Sequence, residues 1–194
     1  MSKSDPASCK KERRKAIRWV VSIFLITILI SGTISFVSDE IMASSGIVVA
    51  FLILLAIVFI GILFDVVGVA VTSADEKPFH SMAARKVPGG QEAIKLLRNA
   101  ERVSSICNDV IGDICGVVSG SASATIAAQV LSNFAFTWPR MITLLMSALV
   151  AGVTVGGKAV GKTFAIQSST SIVSFVGRII HFFGHIGQVF QKKK

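Results

Sequence analysis

Residues 103–123 read VSSICNDVIGDICGVVSGSAS. Two carboxylates, Asp109 and Asp113, stand one helical turn apart in this apolar stretch, and no basic residue falls between Arg102 and Arg140. A charge at bilayer depth costs from about 2.5 to about 17 kcal/mol, depending on how it is measured. Acids in such a stretch face a protein interior, a water-filled cavity or an ion path, so the rest of the chain decides how they are housed.

The chain has 194 residues, is 52% hydrophobic and has a mean hydropathy of +0.71. Its long apolar runs exceed what a soluble core of this size needs, and the composition reads as an integral membrane protein. The net charge of +9 does not point to nucleic acid. Lys and Arg gather at Lys3 to Arg18, at Lys77 to Arg102 and at Lys192 to Lys194, which flank apolar stretches. The three cysteines, Cys9, Cys107 and Cys115, form no disulfide framework, and the two in the stretch read as small packing residues.

Working outward, residues 1–16 read as a basic cytosolic tail, expected to be disordered. Residues 17–37 read as a signal-anchor span that is not cleaved, because no clear small-residue cleavage site follows. Residues 38–46 read as an external loop, and residues 47–72 as a second span interrupted by Asp65, with Ser45 as a candidate cap. The polar segment 73–102 carries Pro88-Gly89-Gly90 between two short helices, roughly 76–86 and 91–98. Residues 103–133 form the third span and 134–140 a turn, with Trp138 at an interface and Pro139 at a helix start. Residues 140–166 form the fourth span and 168–190 an amphipathic helix. The expected fold is therefore all-α: four membrane helices, both termini in the cytosol, and a juxtamembrane helix.

Within 103–123, Ser105, Asn108, Asp109, Gly112, Asp113, Gly116, Gly120 and Ser123 recur at steps of mostly three and four. An α-helix would place them on one face. Gly112, Gly116 and Gly120 would also let another helix approach closely. Two readings of the acids stand side by side. Asp65, Asn108, Asp109 and Asp113 offer the hard oxygen ligands that suit Mg²⁺. Alternatively, Asp109 or Asp113 pairs with Lys158 or Lys162, locking the helices together.

Other motifs carry less. Gly156 to Thr163 has the spacing of a phosphate-binding loop, but an apolar span precedes it and no α/β sheet is available, so no nucleotide partner is expected. His181 and His185 stand at i, i+4, but the surrounding pattern reads as the polar face of an interfacial helix, opposite Ile172, Phe175, Ile179, Phe182, Phe183, Ile186 and Phe190. Lys192 to Lys194 would meet anionic lipid headgroups. No Ser/His/Asp or Cys/His set suggests an enzyme.

The region 47–190 resembles the transmembrane domain of the CNNM/CorC magnesium-transport family. Ala70-Val71-Thr72-Ser73 looks like its A-L-T-S, followed by Ala93-Ile94-Lys95-Leu96-Leu97 in the helical loop. Ile106-Cys107-Asn108-Asp109 looks like I-G-N-N, and Gly157 to Thr163 like G-E-I-x-P-K-[ST]. The chain departs from the family where S-G-S-E becomes Asp65-Val66-Val67-Gly68, where the glutamate of G-E-I becomes Lys158, and where the proline becomes Gly161. The resemblance implies a homodimer of the 47–190 domain, with the span and loop of 17–46 added before it and a basic tail, 191–194, after it. It also implies divalent-cation binding or transport, Mg²⁺ first, at Asp65, Asn108, Asp109 and Asp113. Lys158 and Lys162 would be counter-charges. The competing expectation is a non-transporting dimeric scaffold or accessory subunit, in which Lys158 replaces the cation.

Overall fold

The computed structural model describes residues 6–133 and 138–191, and these contain no strand. The helices are α1 (Pro6–Ser44), α2 (Ile47–Ser73), α3 (Lys77–Ala84), α4 (Gly90–Arg98) and α5 (Ala100–Ser105). A π-helical segment, Ile106–Gly112, joins α5 to α6 (Asp113–Asn133), and α7 (Pro139–Gln167) and α8 (Ser169–Gln191) follow. Four stretches are long and apolar enough to cross a membrane: Ile17–Met42, Ile47–Ser73, Ala100–Asn133 and Pro139–Gln167.

The local chemistry explains most boundaries. The apolar run of α2 is helical despite its many β-branched residues, because a helix satisfies its own backbone polar groups. Proline opens α3 and α7, where its missing N–H has no partner to lose. Gly89 stands before α4 at φ 88°, a left-handed conformation that costs a glycine little. The short helices expected at about 76–86 and 91–98 occur at Lys77–Ala84 and Gly90–Arg98.

Three expectations change. The loop expected at 38–46 is helix as far as Ser44. Residues 38–44 contain no helix breaker, and this last part of α1 is held by α6. Gln129 Nε2 donates to the Met42 carbonyl at 2.6 Å, Thr125 Oγ1 donates to Asp39 Oδ1 at 3.4 Å, and Met42 is fully buried. Ser45 does not cap α2, because Gly46 occupies the N-cap position and no side chain bonds there. Of the segment 1–16, expected to be disordered, the part from Pro6 on is helix, and residues 1–5 lie outside the described residues. The expected turn lies partly outside the described residues, at 134–137, as does the lysine tail, 192–194.

Helix α2 is the hub, packed by α6, α7, the π segment, α5 and α8. At its C-terminal end, Ala70, Val71, Phe79, Ala93, Leu97, Ala165 and Val173 form one apolar cluster. At its N-terminal end, Met42, Ala50, Leu54, Val58, Ala122 and Ile126 form another. Between them, Val110, Ile114 and Val118 pack with Ile23 and Ile57. The outward surface is also apolar, with Leu29, Leu55 and Leu144 exposed.

Candidate functional site

Besides the α1–α6 contacts, the described residues hold a polar crossing where α2, the π segment and α7 meet. Asp65 sits on the inner face of α2 at 4% exposure. Gly61 and Gly68, about one turn to either side of it, let the next helix in. A Cβ on Gly61 would stand 2.8 Å from Cys115 Cβ, and one on Gly68 would overlap the Asn108 carboxamide. On the other side, Gly157 and Gly161 accept Ile62 and Val66 of α2. These close approaches press α7 against α2 and carry Lys158 into the crossing.

Lys158 Nζ donates to the carbonyl oxygen of Gly112 at 3.2 Å. A Cβ on Gly112 would lie 3.3 Å from that ammonium and 3.7 Å from Asp65 Oδ1, so the lysine and the buried acid converge on one point. Asp65 Oδ2 is buried and accepts no hydrogen bond among the described residues. The same holds for Asn108 Oδ1, while Asn108 Nδ2 donates to Ser104 Oγ at 3.1 Å.

The expected single polar face is split in two. Bonding from i to i+5 slows the turn per residue over Ile106–Gly112, so the α-helical period does not describe it. Asn108 and Gly112 lie against α2, whereas Asp109 and Asp113 are exposed. Asp109 Oδ2 accepts from Ser105 Oγ at 2.8 Å. Asp113 lines a groove of about 490 Å³ between α6 and α7, with Gly116, Gly120, Ser147, Thr154 and Lys158. Gly116 and Gly120 do not bring a neighbour close: a Cβ on either would meet nothing within 4 Å, whereas Gly112 is packed.

Lys158 does not pair with Asp109 or Asp113. The salt bridges within 4 Å among the described residues are His80–Glu76 and His181–Glu92. Lys162, one turn further along α7, is exposed. Among the described residues no three His, Cys, Asp or Glu side chains gather as a metal cluster. The stretch Gly156 to Thr163 runs as continuous helix within α7, without the loop that phosphate binding needs.

The amphipathic helix is present as α8, but it docks through a different face. Ser169, Val173 and Gly177 are buried, while Phe175, Phe182 and Phe183 are exposed. His181 Nδ1 lies 3.3 Å from Glu92 Oε1 of α4, and the side chain of His185 lies outside the described residues. Burial works to raise the Glu92 pKa, but the residue's own backbone N–H, His181 and Lys95 outweigh it and hold the carboxyl below its ordinary value. The sequence carried a signal for the α2 approach, since Gly61, Asp65 and Gly68 share one helical face. It carried none for a pair 89 residues apart. No family model, curated protein or solved structure matches this chain.

Proposed function

We propose that the chain is a four-pass integral membrane protein of the cell membrane with both termini in the cytosol. In this reading it is a divergent form of the CNNM/CorC-type transmembrane domain that serves as a non-transporting dimeric scaffold or accessory subunit. The observation that carries the reading is the position of Lys158. Its ammonium sits at the helix crossing, bonded to the Gly112 carbonyl and beside the buried Asp65 carboxylate. Mg²⁺ demands a near-octahedral shell of oxygens at about 2.0–2.1 Å. A tethered ammonium has three donors and one positive charge. It takes the Gly112 carbonyl oxygen and, as a fixed positive charge beside Asp65, repels a second cation from the same space.

The exposed apolar exteriors of α1, α2 and α7 suit a hydrocarbon solvent, and the phenylalanines of α8 suit the lipid interface. Gly116 and Gly120 on α6, and Gly152 and Gly156 on α7, keep open space beside them among the described residues. Such small-residue steps favour helix association in membranes, and the partner we assign to them is a second copy of the chain.

A second reading, divalent-cation binding or transport with Mg²⁺ first, is favoured by two buried acceptors without donors at the crossing, Asp65 Oδ2 and Asn108 Oδ1. Mg²⁺ flux into liposomes holding the protein and a trapped indicator separates the two. The scaffold reading expects flux no faster than in protein-free liposomes. Saturable flux that disappears in Asp65→Asn would establish transport instead.

A further inference from the structure

Helix α8 is held on α4 by a narrow seam. Its buried positions, Ser169, Val173 and Gly177, recur every four residues, and half-buried His181 continues the row. Opposite them stand Gly89, Ala93 and Leu97. A Cβ on Gly177 would lie 2.6 Å from the Gly89 carbonyl oxygen, so the two backbones nearly touch there. Among the described residues Val173 is the one sizeable apolar side chain that α8 buries completely, and the phenylalanines at 175, 182 and 183 are exposed. About one turn beyond the glycine contact on both helices, His181 meets Glu92. Beyond Gly177 no described side chain of α8 is fully buried, so this ionic contact closes a stretch of the seam that apolar packing leaves open.

We propose that His181 and Glu92 form a pH-sensitive latch that fastens α8 to α4. Imidazole is the side chain that changes charge in the physiological range. Protonated, His181 attracts the Glu92 carboxylate; neutral, it offers at most an ordinary hydrogen bond. The other charged group on α4 beside the cleft is Lys95, which lines it together with Glu92 and Asn99 and opposes the imidazolium weakly. On α8 itself Arg178 precedes by three residues and His185 follows by four. The only charged residue of α2 is Asp65, α5 brings Val103 to the cleft, and the second half of α7 carries Lys158 and Lys162. The latch therefore tightens when the imidazole takes up a proton. It loosens again only when Glu92 is protonated, below the ordinary carboxylate range.

Amide exchange of α8 in the full chain in nanodiscs, corrected for the intrinsic pH dependence of exchange, tests this between pH 5.5 and 8.5. Protection over 169–184 should fall roughly two- to five-fold across that range, the size of a partly exposed ion pair. His181→Gln, which hydrogen-bonds but does not titrate, should flatten the profile, while His80→Gln should leave it unchanged. A flat wild-type profile, or a pH response retained in His181→Gln, overturns the latch. If His181→Gln undocks α8 at every pH, Glu92→Gln decides: loss of the pH response with α8 docked supports the latch, and retention overturns it.

Discussion

Lys158 Nζ stands 3.2 Å from the Gly112 carbonyl oxygen, although the two residues are 46 positions apart and belong to different helices. The bond places a fixed positive charge beside Asp65, the acid that α2 buries on its inner face. Burying one such charge alone is costly, and burying two of opposite sign together relieves part of that cost.

Lys158→Met should therefore lower stability by roughly 1–3 kcal/mol, because the Gly112 carbonyl loses its donor and the buried Asp65 carboxylate loses the nearby positive charge. Adding Asp65→Asn should recover much of the loss. Thermal unfolding in detergent of both single variants and the double variant checks this as a double-mutant cycle. Strict additivity would show that the two residues are not coupled.

The helix contacts should respond unequally to added methyl groups. Gly68→Ala drives a Cβ into the Asn108 carboxamide and should cost about 1–3 kcal/mol. Gly116→Ala has open space and should leave the folded chain as stable or slightly more so, since alanine is the better helix former by up to about 1 kcal/mol. Light scattering on the same samples should show Gly116→Ala weakening self-association if this face joins two copies.

Acid stability should carry a contribution from Glu92. Its folded pKa is depressed, so the ionised carboxylate stabilises the native state above the ordinary carboxylate range. That stability is lost as pH falls through the lowered value. Unfolding midpoints from pH 7 down to pH 3 should decline less in Glu92→Gln than in the wild type.

Topology is open to direct labelling. In a background without native cysteines, a membrane-impermeant maleimide should modify Ser45→Cys on intact cells. It should reach Lys86→Cys only after permeabilisation. The reverse pattern would invert the chain in the membrane and overturn the assignment of both termini to the cytosol.

The sequence made the long helices legible wherever one physical rule dominates. The apolar run of α2, the Pro139 start of α7, and the Pro88-Gly89-Gly90 break before α4 are all local signals. The end of α1 was not legible, because Asp39 and Met42 are held in helix by Thr125 and Gln129, over 80 residues away. The π segment hid for a related reason: nothing in ICNDVIG announces i to i+5 bonding, and it is packing against Gly68 of α2 that turns Asn108 inward and leaves Asp109 exposed. At the crossing, Asp65 and Lys158 stood out as charges in apolar surroundings. Their approach to Gly112 depends on the close helix contacts at Gly61, Gly68, Gly157 and Gly161 together, which a pairwise reading of charges, sending Lys158 or Lys162 to Asp109 or Asp113, does not contain.

The central claim is that Lys158 stands where a cation would otherwise bind. Calorimetric titration of Mg²⁺ into the purified wild-type protein and Asp65→Asn tests it most directly. The account predicts no saturable heat in either protein. Saturable Mg²⁺ binding to the wild type, lost in Asp65→Asn, would contradict it and place the ion at the crossing.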